Sequence, residues 1–306
     1  VVEALDPDVV VLDVEMPNLD GLGALSRIHE SKPRLPVIMF STLTEKGASA
    51  TLQALSNGAS DYVAKPTGAT SFADALDIVR DELLPRVKAL VAARRMVAAA
   101  PPRTVAPVEV TTSPEVLVVA CSTGGPDALS TVLAELPSSF ALPVLVTQHM
   151  PPVFTTQFAT RLDRVSPLQV REAADGDVVR RGEVLLAPGD FHLRLSRSAG
   201  VVRATLDQGP RENFCRPAAD PLLRSAAQVY GPGVLCLVLT GMGSDGLEGA
   251  RTVVDKGGRV VVQDSATSVV WGMPGAVANA GLAHEVLPLG SIASRLAALT
   301  GAVAIS

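Results

Sequence analysis

At 306 residues, 47% of them apolar, the chain is long enough for two domains that each bury a core. A net charge of −5 with no basic block argues against a nucleic-acid partner, and no apolar run approaches the roughly 20 residues of a membrane span, so no membrane insertion is expected. The opening Val1-Val2-Glu3-Ala4-Leu5-Asp6 does not read as a signal peptide, and three widely spaced cysteines, Cys121, Cys215 and Cys236, make neither a disulfide framework nor a metal knuckle; a reducing cytoplasm suits them.

Aromatics are only 3%, so Val, Ala and Leu carry the packing, as in parallel sheets flanked by helices. In residues 1–92, Val9–Leu12, Val37–Phe40 and Asp61–Ala64 read as strands. Leu22–Ile28, Lys46–Asn57 and Ser71–Val91 read as helices, with Gly58 as a stop. This βα alternation predicts a parallel sheet. Residues 93–113 read as a linker, because Pro101, Pro102 and Pro107 forbid a continuing helix. In residues 114–306 the apolar strands are Val116–Ala120, Val144–Thr147, Val184–Ala187, Val234–Leu239 and Arg259–Val262. Helices are expected over Asp127–Glu135, Phe154–Leu162, Ala218–Val229, Gly246–Asp255 and Ile292–Leu299. His192–Arg197 and Val201–Leu206 flank Ala199-Gly200 as an antiparallel hairpin. The second domain is therefore a doubly wound, mostly parallel α/β sheet with a hairpin insertion.

Asp13, Ser41 and Lys65-Pro66 each follow a strand, at the C-terminal edge where open parallel sheets bind ligands. A carboxylate beside a hydroxyl and an ammonium can accept a phosphoryl group, with Mg²⁺ offsetting the transferred charge. Alone, Asp13 is as well explained as a turn cap before Pro17; three groups at three successive strand ends favour the site. The run Leu12-Asp13-Val14-Glu15-Met16-Pro17-Asn18-Leu19-Asp20-Gly21 resembles the phosphoacceptor loop of response-regulator receiver domains, a flavodoxin-like fold. The resemblance implies phosphorylation at Asp13, a switch hydroxyl at Ser41, a rotameric aromatic at Tyr62, and Lys65 followed by a cis peptide at Pro66. A receiver begins with a central strand ending in an acidic pair that holds Mg²⁺. This chain opens near the end of the second helix instead, which implies a partial receiver. Val9–Leu12 is expected to lose its inner neighbour, Mg²⁺ to lose ligands at Asp13, and the domain to be marginally stable.

In the second domain a buried strand runs into Cys121-Ser122-Thr123-Gly124-Gly125-Pro126. Such a loop can present a nucleophile or cradle a phosphate. The dinucleotide fingerprint G-x-G-x-x-G lacks its first two glycines here, and a Walker A loop would need a lysine that is absent. Hydrolysis needs a hydroxyl, an imidazole to take its proton and a carboxylate to orient the imidazole. Of four histidines (His29, His149, His192, His284), His149 alone follows a strand next in chain order to that of Ser122. A packed or capping histidine is the plain alternative. The carboxylate is Asp245, in the glycine-rich Leu239-Thr240-Gly241-Met242-Gly243-Ser244-Asp245-Gly246, whose amides can hold developing negative charge. Its plain alternative is a cap for the helix after Gly246. The order Ser–His–Asp and the absence of G-x-S-x-G separate the chain from α/β-hydrolases.

These segments resemble the catalytic domain of chemotaxis-type protein-glutamate methylesterases. The match covers the nucleophile loop, Thr147-Gln148-His149-Met150-Pro151, the Asp245 loop, Gly209-Pro210 with Asn213, Arg216-Pro217 and Asp220, and Trp271-Gly272-Met273-Pro274-Gly275. The resemblance implies Ser122 as nucleophile, His149 as base, Asp245 as orienting acid, and oxyanion support near Thr123 and Met242. Arg216 would contact substrate or its own loop. No cofactor is implied for hydrolysis; Mg²⁺ would serve phosphorylation of a complete receiver. The implied substrates are glutamate γ-methyl esters, and glutamines, on methyl-accepting chemotaxis receptors. A histidine kinase would be the phosphodonor, and the unphosphorylated receiver would restrain the esterase, weakly here if its first strands are missing. Two other readings stand beside this one: a regulatory binding module without activity, and a serine hydrolase acting on another protein ester.

Overall fold

In the computed structural model, which describes residues 2–17, 19–66, 71–96 and 112–301, the chain divides into two units, Val1–Ala99 and Ala100–Ser306. In the first, β1 (Val10–Asp13), β2 (Val37–Ser41) and β3 (Asp61–Ala64) form a parallel sheet in the order β1-β2-β3. The helices are α1 (Val2–Leu5), α2 (Gly21–Ser31), α3 (Glu45–Ser56) and α4 (Phe72–Met96). Asp20 caps α2 by accepting from the Gly23 amide, and Thr44 caps α3 by accepting from that of Gly47. β2 has a neighbour on each side, and Val37, Ile38 and Met39 are fully buried. β1 pairs with β2 alone in the described sheet, and Val11 is left 43% exposed.

Pairing sets Asp13 opposite Phe40, and Ser41 opposite Ala64, so Asp13, Ser41 and Lys65 share one sheet edge. The peptide bond at Lys65-Pro66 is not cis; among the described residues only Arg216-Pro217 is. The start of the expected linker is corrected. Residues 93–96 prolong α4, since Ala92-Ala93-Arg94 are good helix formers and Arg94 donates to the Pro7 carbonyl at 3.1 Å. Of the rest of the expected linker, residues 97–111 lie outside the described residues.

The second unit begins with β4 (Val116–Cys121), α5 (Gly125–Glu135), β5 (Val144–Gln148) and α6 (Pro152–Val165). β6 (Gln169–Glu172) and β7 (Glu183–Leu186) precede a separate antiparallel hairpin of β8 (His192–Ser198) and β9 (Val201–Asp207). Then come α7 (Ala219–Tyr230), β10 (Val234–Val238), α8 (Leu247–Asp255) and β11 (Arg259–Gln263). α9 (Met273–Asn279), β12 (Glu285–Leu287) and α10 (Leu289–Thr300) close the unit. The seven-stranded sheet has the order β12-β11-β10-β4-β5-β7-β6, and every pairing in it is parallel.

β4 is buried along its whole length, as are β5 and β10 on either side. From β4 the chain winds outward through β5, then returns to β10 and winds the other way. The C-terminal end of β4 is therefore the topological switch point, where a crevice opens in such sheets. No helix among the described residues is long and apolar enough to cross a membrane.

Candidate active site

Because β4 lies between β10 and β5, the residues that follow these three strands are brought side by side. Ser122 directly follows β4 and His149 directly follows β5. Asp245 lies in the loop after β10. Backbone bonds tie the loops together: the Ser122 amide donates to the Thr240 carbonyl at 3.0 Å and the His149 amide to that of Cys121 at 3.2 Å. Two glycines make the approach possible. Gly124 turns the chain into α5 at φ 74, where a Cβ would meet Val269 Cγ2 at 2.5 Å. Gly241 lies so close to the nucleophile loop that a Cβ would sit 3.0 Å from that of Ser122 and 2.3 Å from Met273 Sδ.

Asp245 is 2% exposed, and its carboxylate is fully engaged. Oδ2 lies 2.7 Å from His149 Nε2 and accepts from the Ala219 amide at 2.6 Å. Oδ1 accepts from Asn213 Nδ2 at 2.9 Å, the Gly246 amide at 3.0 Å and the Asp220 amide at 3.2 Å. Burial alone would raise its pKa, but His149 and the α7 amides hold it below the usual carboxylate range. The Ala219 and Asp220 amides open α7, whose N-terminal dipole adds to that effect. Asp220 goes the other way: burial and the nearby Asp245 charge push it up. Asn213 joins the two, donating to Asp220 Oδ2 at 3.0 Å as well as to Asp245.

His149 has its Nε2 on Asp245 and its Nδ1 3.4 Å from Cys215 Sγ. Burial pulls its pKa down, but Cys215 and Asp245 more than reverse this and raise it to about 10. The other histidines have structural partners. His192 is buried, with Nε2 3.0 Å from the Pro210 carbonyl and Nδ1 accepting from the Ala218 amide. His284 accepts from the Val260 amide, and His29 lies against the Asn57 carbonyl.

The structure thus joins His149 to Asp245 and sets Ser122 beside them through the backbone. Ser122 is half-buried, and among the described residues its Oγ makes no hydrogen bond. Thr123 is buried, while the Met242 amide has no hydrogen-bond partner among the described residues. Arg216 is committed to its own loop. Nε and Nη2 donate to Asp190 Oδ1, and Nη1 donates to the Gln208 and Gly209 carbonyls, so most of the guanidinium is engaged within its own loop. Cys215 carried no signal in the sequence beyond being an unpaired thiol; Asn213 and Asp220 stood within a motif without a role.

In the first unit Lys65 Nζ lies 2.7 Å from Asp13 Oδ2, and the Glu15 amide donates to Oδ1 at 3.0 Å. These contacts outweigh partial burial and hold Asp13 below the usual carboxylate range. Ser41 is buried with its hydroxyl donating to the Gly47 carbonyl at 3.1 Å, and Tyr62 is buried with its phenol pushed up by desolvation. Among the described residues no three His, Cys, Asp or Glu are placed to hold a metal ion, and both Asp13 oxygens already have partners. These residues do not by themselves fit Mg²⁺.

The model of the CheB methylesterase family matches residues 117–296, and that of the response regulator receiver domain matches residues 1–77. A protein-glutamate methylesterase/protein-glutamine glutaminase of a Nocardioides species is 52% identical over 298 residues, covering 94% of this chain and 81% of that protein. One from Trichodesmium erythraeum is 46% identical over 302 residues, covering 95% of this chain and 85% of that protein. The crystal structure of the Thermotoga maritima CheB methylesterase catalytic domain aligns with a TM-score of 0.60 at 45% identity, covering 61% of this chain and all of that one (100%).

Proposed function

The chain belongs to the CheB methylesterase family, with a response regulator receiver domain ahead of the catalytic domain, and from that premise we infer that it hydrolyses glutamate γ-methyl esters on a protein. Methanol is the product, and glutamine is deamidated by the same machinery. The observation that carries the reading is the partly buried His149–Asp245 pair, at 2.7 Å, beside Ser122 at the switch point of the sheet.

Ser122 Oγ attacks the ester carbonyl. Asp245 holds Nε2, so the Ser122 proton passes to Nδ1 of His149, a transfer worth about 10²–10⁴-fold in rate. The tetrahedral oxyanion is received by amides at Thr123 and Met242, and the Met242 N–H, which has no partner among the described residues, supports this assignment. His149 returns the proton to the departing methoxide. Water then releases the acyl group by the same steps, leaving a glutamate carboxylate. Nucleophile, base and acid are all side chains, so hydrolysis as written calls on no metal ion.

The substrate we propose is a cytoplasmic helix of a methyl-accepting chemotaxis receptor, with the reaction in the cytoplasm. We further propose control by phosphorylation of Asp13 from a histidine kinase. The Asp13–Lys65 contact at 2.7 Å supports that assignment, and Mg²⁺ for the transfer would need ligands beyond the described residues. The test is methanol release from methylated receptor by wild type and Ser122→Ala. The expected loss is about 10³-fold or more, and equal release overturns the reading.

A further inference from the structure

With Nε2 of His149 on Asp245, the Ser122 proton has one place to go, and Cys215 Sγ stands 3.4 Å from it. This sulfur is held in place by a built turn. The Cys215 amide donates to the Glu212 carbonyl at 2.8 Å, and the Glu212 amide donates back to that of Cys215 at 3.1 Å. Between them Asn213 and Phe214 both adopt left-handed backbone, at φ 51 and 64. That conformation is disfavoured for a non-glycine residue, so the surroundings must impose it. Arg224 Nη2 pins Glu212 at 2.7 Å from each carboxylate oxygen, and Asn213 donates to Asp245. One four-residue turn therefore reaches both members of the catalytic pair. Cys121 and Cys236 differ in kind: both are fully buried in strands, and burial pushes their thiols up.

Resting on the esterase reading, we propose that Cys215 is a positioning residue for the base. Its sulfur occupies Nδ1 of His149 in the free enzyme, fixes the ring, and is displaced when Ser122 passes its proton on.

While Sγ stands at Nδ1, that ring nitrogen is engaged; once the sulfur moves off, Nδ1 can accept from Ser122. The groups facing His149 are Asp245 at Nε2 and Cys215 at Nδ1, with Asp220 a step removed through Asn213. Cys215 and Asp245 raise the pKa of the ring, so the esterase rate rises with pH later than an ordinary imidazole would allow.

The test is the pH profile of kcat and kcat/KM for methanol release. Cys215→Ser keeps a hydrogen-bonding group at Nδ1 but removes the sulfur that raises the ring's pKa, and its acid limb is expected at least about 1 pH unit below that of wild type. Cys215→Ala is expected to show the same displacement with a lower plateau, which the serine variant restores. A limb unmoved in both variants overturns the proposal. Iodoacetamide gives a second readout. It forms an S–C bond at Cys215, iodide leaves, and the thiol proton goes to water, so the new group fills the space at Nδ1. Wild type is expected to lose activity on labelling, and Cys215→Ser to be insensitive. Stoichiometric labelling of Cys215 at an undiminished rate would overturn the proposal. Ser122→Ala separates the two claims: if it works as fast as wild type, the esterase reading fails. If it is inactive while the limb does not move, only the role of Cys215 fails.

Discussion

Replacing Asp245 by Asn removes a charge and turns one acceptor into a donor, at a side chain where every lone pair is in use. Two donors meet Oδ2, His149 Nε2 and the Ala219 amide, and three meet Oδ1, from Asn213, Asp220 and Gly246. An amide has one acceptor oxygen, so its nitrogen goes where fewer donors suffer, at the Oδ2 position. The Ala219 N–H is then orphaned in a buried site, which costs about 1–3 kcal/mol. Losing the charge-assisted contacts to the α7 amides adds about 1 kcal/mol more. Against a total stability of about 5–15 kcal/mol, the variant folds with a lower midpoint. Catalysis suffers more. The new N–H donates to Nε2, which moves the ring proton to Nδ1, and no lone pair then faces Ser122. A wrong imidazole tautomer costs on the order of 10⁴-fold in kcat in a serine protease. The assay is single-turnover methanol release beside thermal unfolding. A variant within about tenfold of wild type would refute the assignment of Nδ1 as the proton acceptor.

Gly124→Ala combines left-handed backbone at φ 74 with a Cβ 2.5 Å from Val269 Cγ2, and is expected to destabilise the catalytic domain by about 2–4 kcal/mol, read by urea unfolding; a change under about 0.5 kcal/mol would count against the packing argument. Arg216→Lys replaces a guanidinium bridging Asp190 and two carbonyls with a single ammonium, and is expected to lower the unfolding midpoint; a raised KM with an unchanged midpoint would return Arg216 to substrate binding. Stability is expected to fall on both sides of neutrality. Asp245, with its folded-state pKa depressed, stabilises above about pH 4, and this is lost as pH falls through the folded value. His149, with its pKa raised, contributes fully below about pH 6.5 and loses that contribution as pH rises through about 10. In Asp245→Asn the acid-side loss should flatten, and an equally steep one would mean other carboxylates carry it.

The strands that position the site were the easiest to read. β4, β5 and β10 are buried on both faces, so their side chains form unbroken apolar runs. The sheet's margins were not legible in the same way. Gln169–Glu172 and Glu285–Leu287 became β6 and β12, yet neither is an apolar run, because an outer strand has one neighbour and exposes part of its surface. With both in place, every pairing of the large sheet is parallel, where mostly parallel was expected. α4 ran five residues past its expected end at Val91, because the residues that follow still favour helix and the first proline comes only at 101.

The site divides along the same physical line. A parallel sheet places the ends of neighbouring strands together, so a serine, a histidine and an aspartate that each follow a buried strand can be matched from the sequence alone. What surrounds them comes from segments with no such rule. Cys215 and Asn213 belong to the turn after the hairpin, and their distance from His149 and Asp245 along the chain carries no periodic signal. The α7 amides show why this matters. From the sequence, Asp245 is as well explained as a cap for the helix that follows it. The structure makes it a cap for a different helix: Ala218, at the start of α7, offers no side-chain bond, and Asp245 supplies the acceptor from across the crevice. Capping and orienting a catalytic imidazole are then one task, not competing explanations. Burial raises the Asp245 pKa; His149 and, after it, the α7 amides bring it down again, and only an ionised carboxylate can hold the Nε2 proton of His149 while leaving Nδ1 to react.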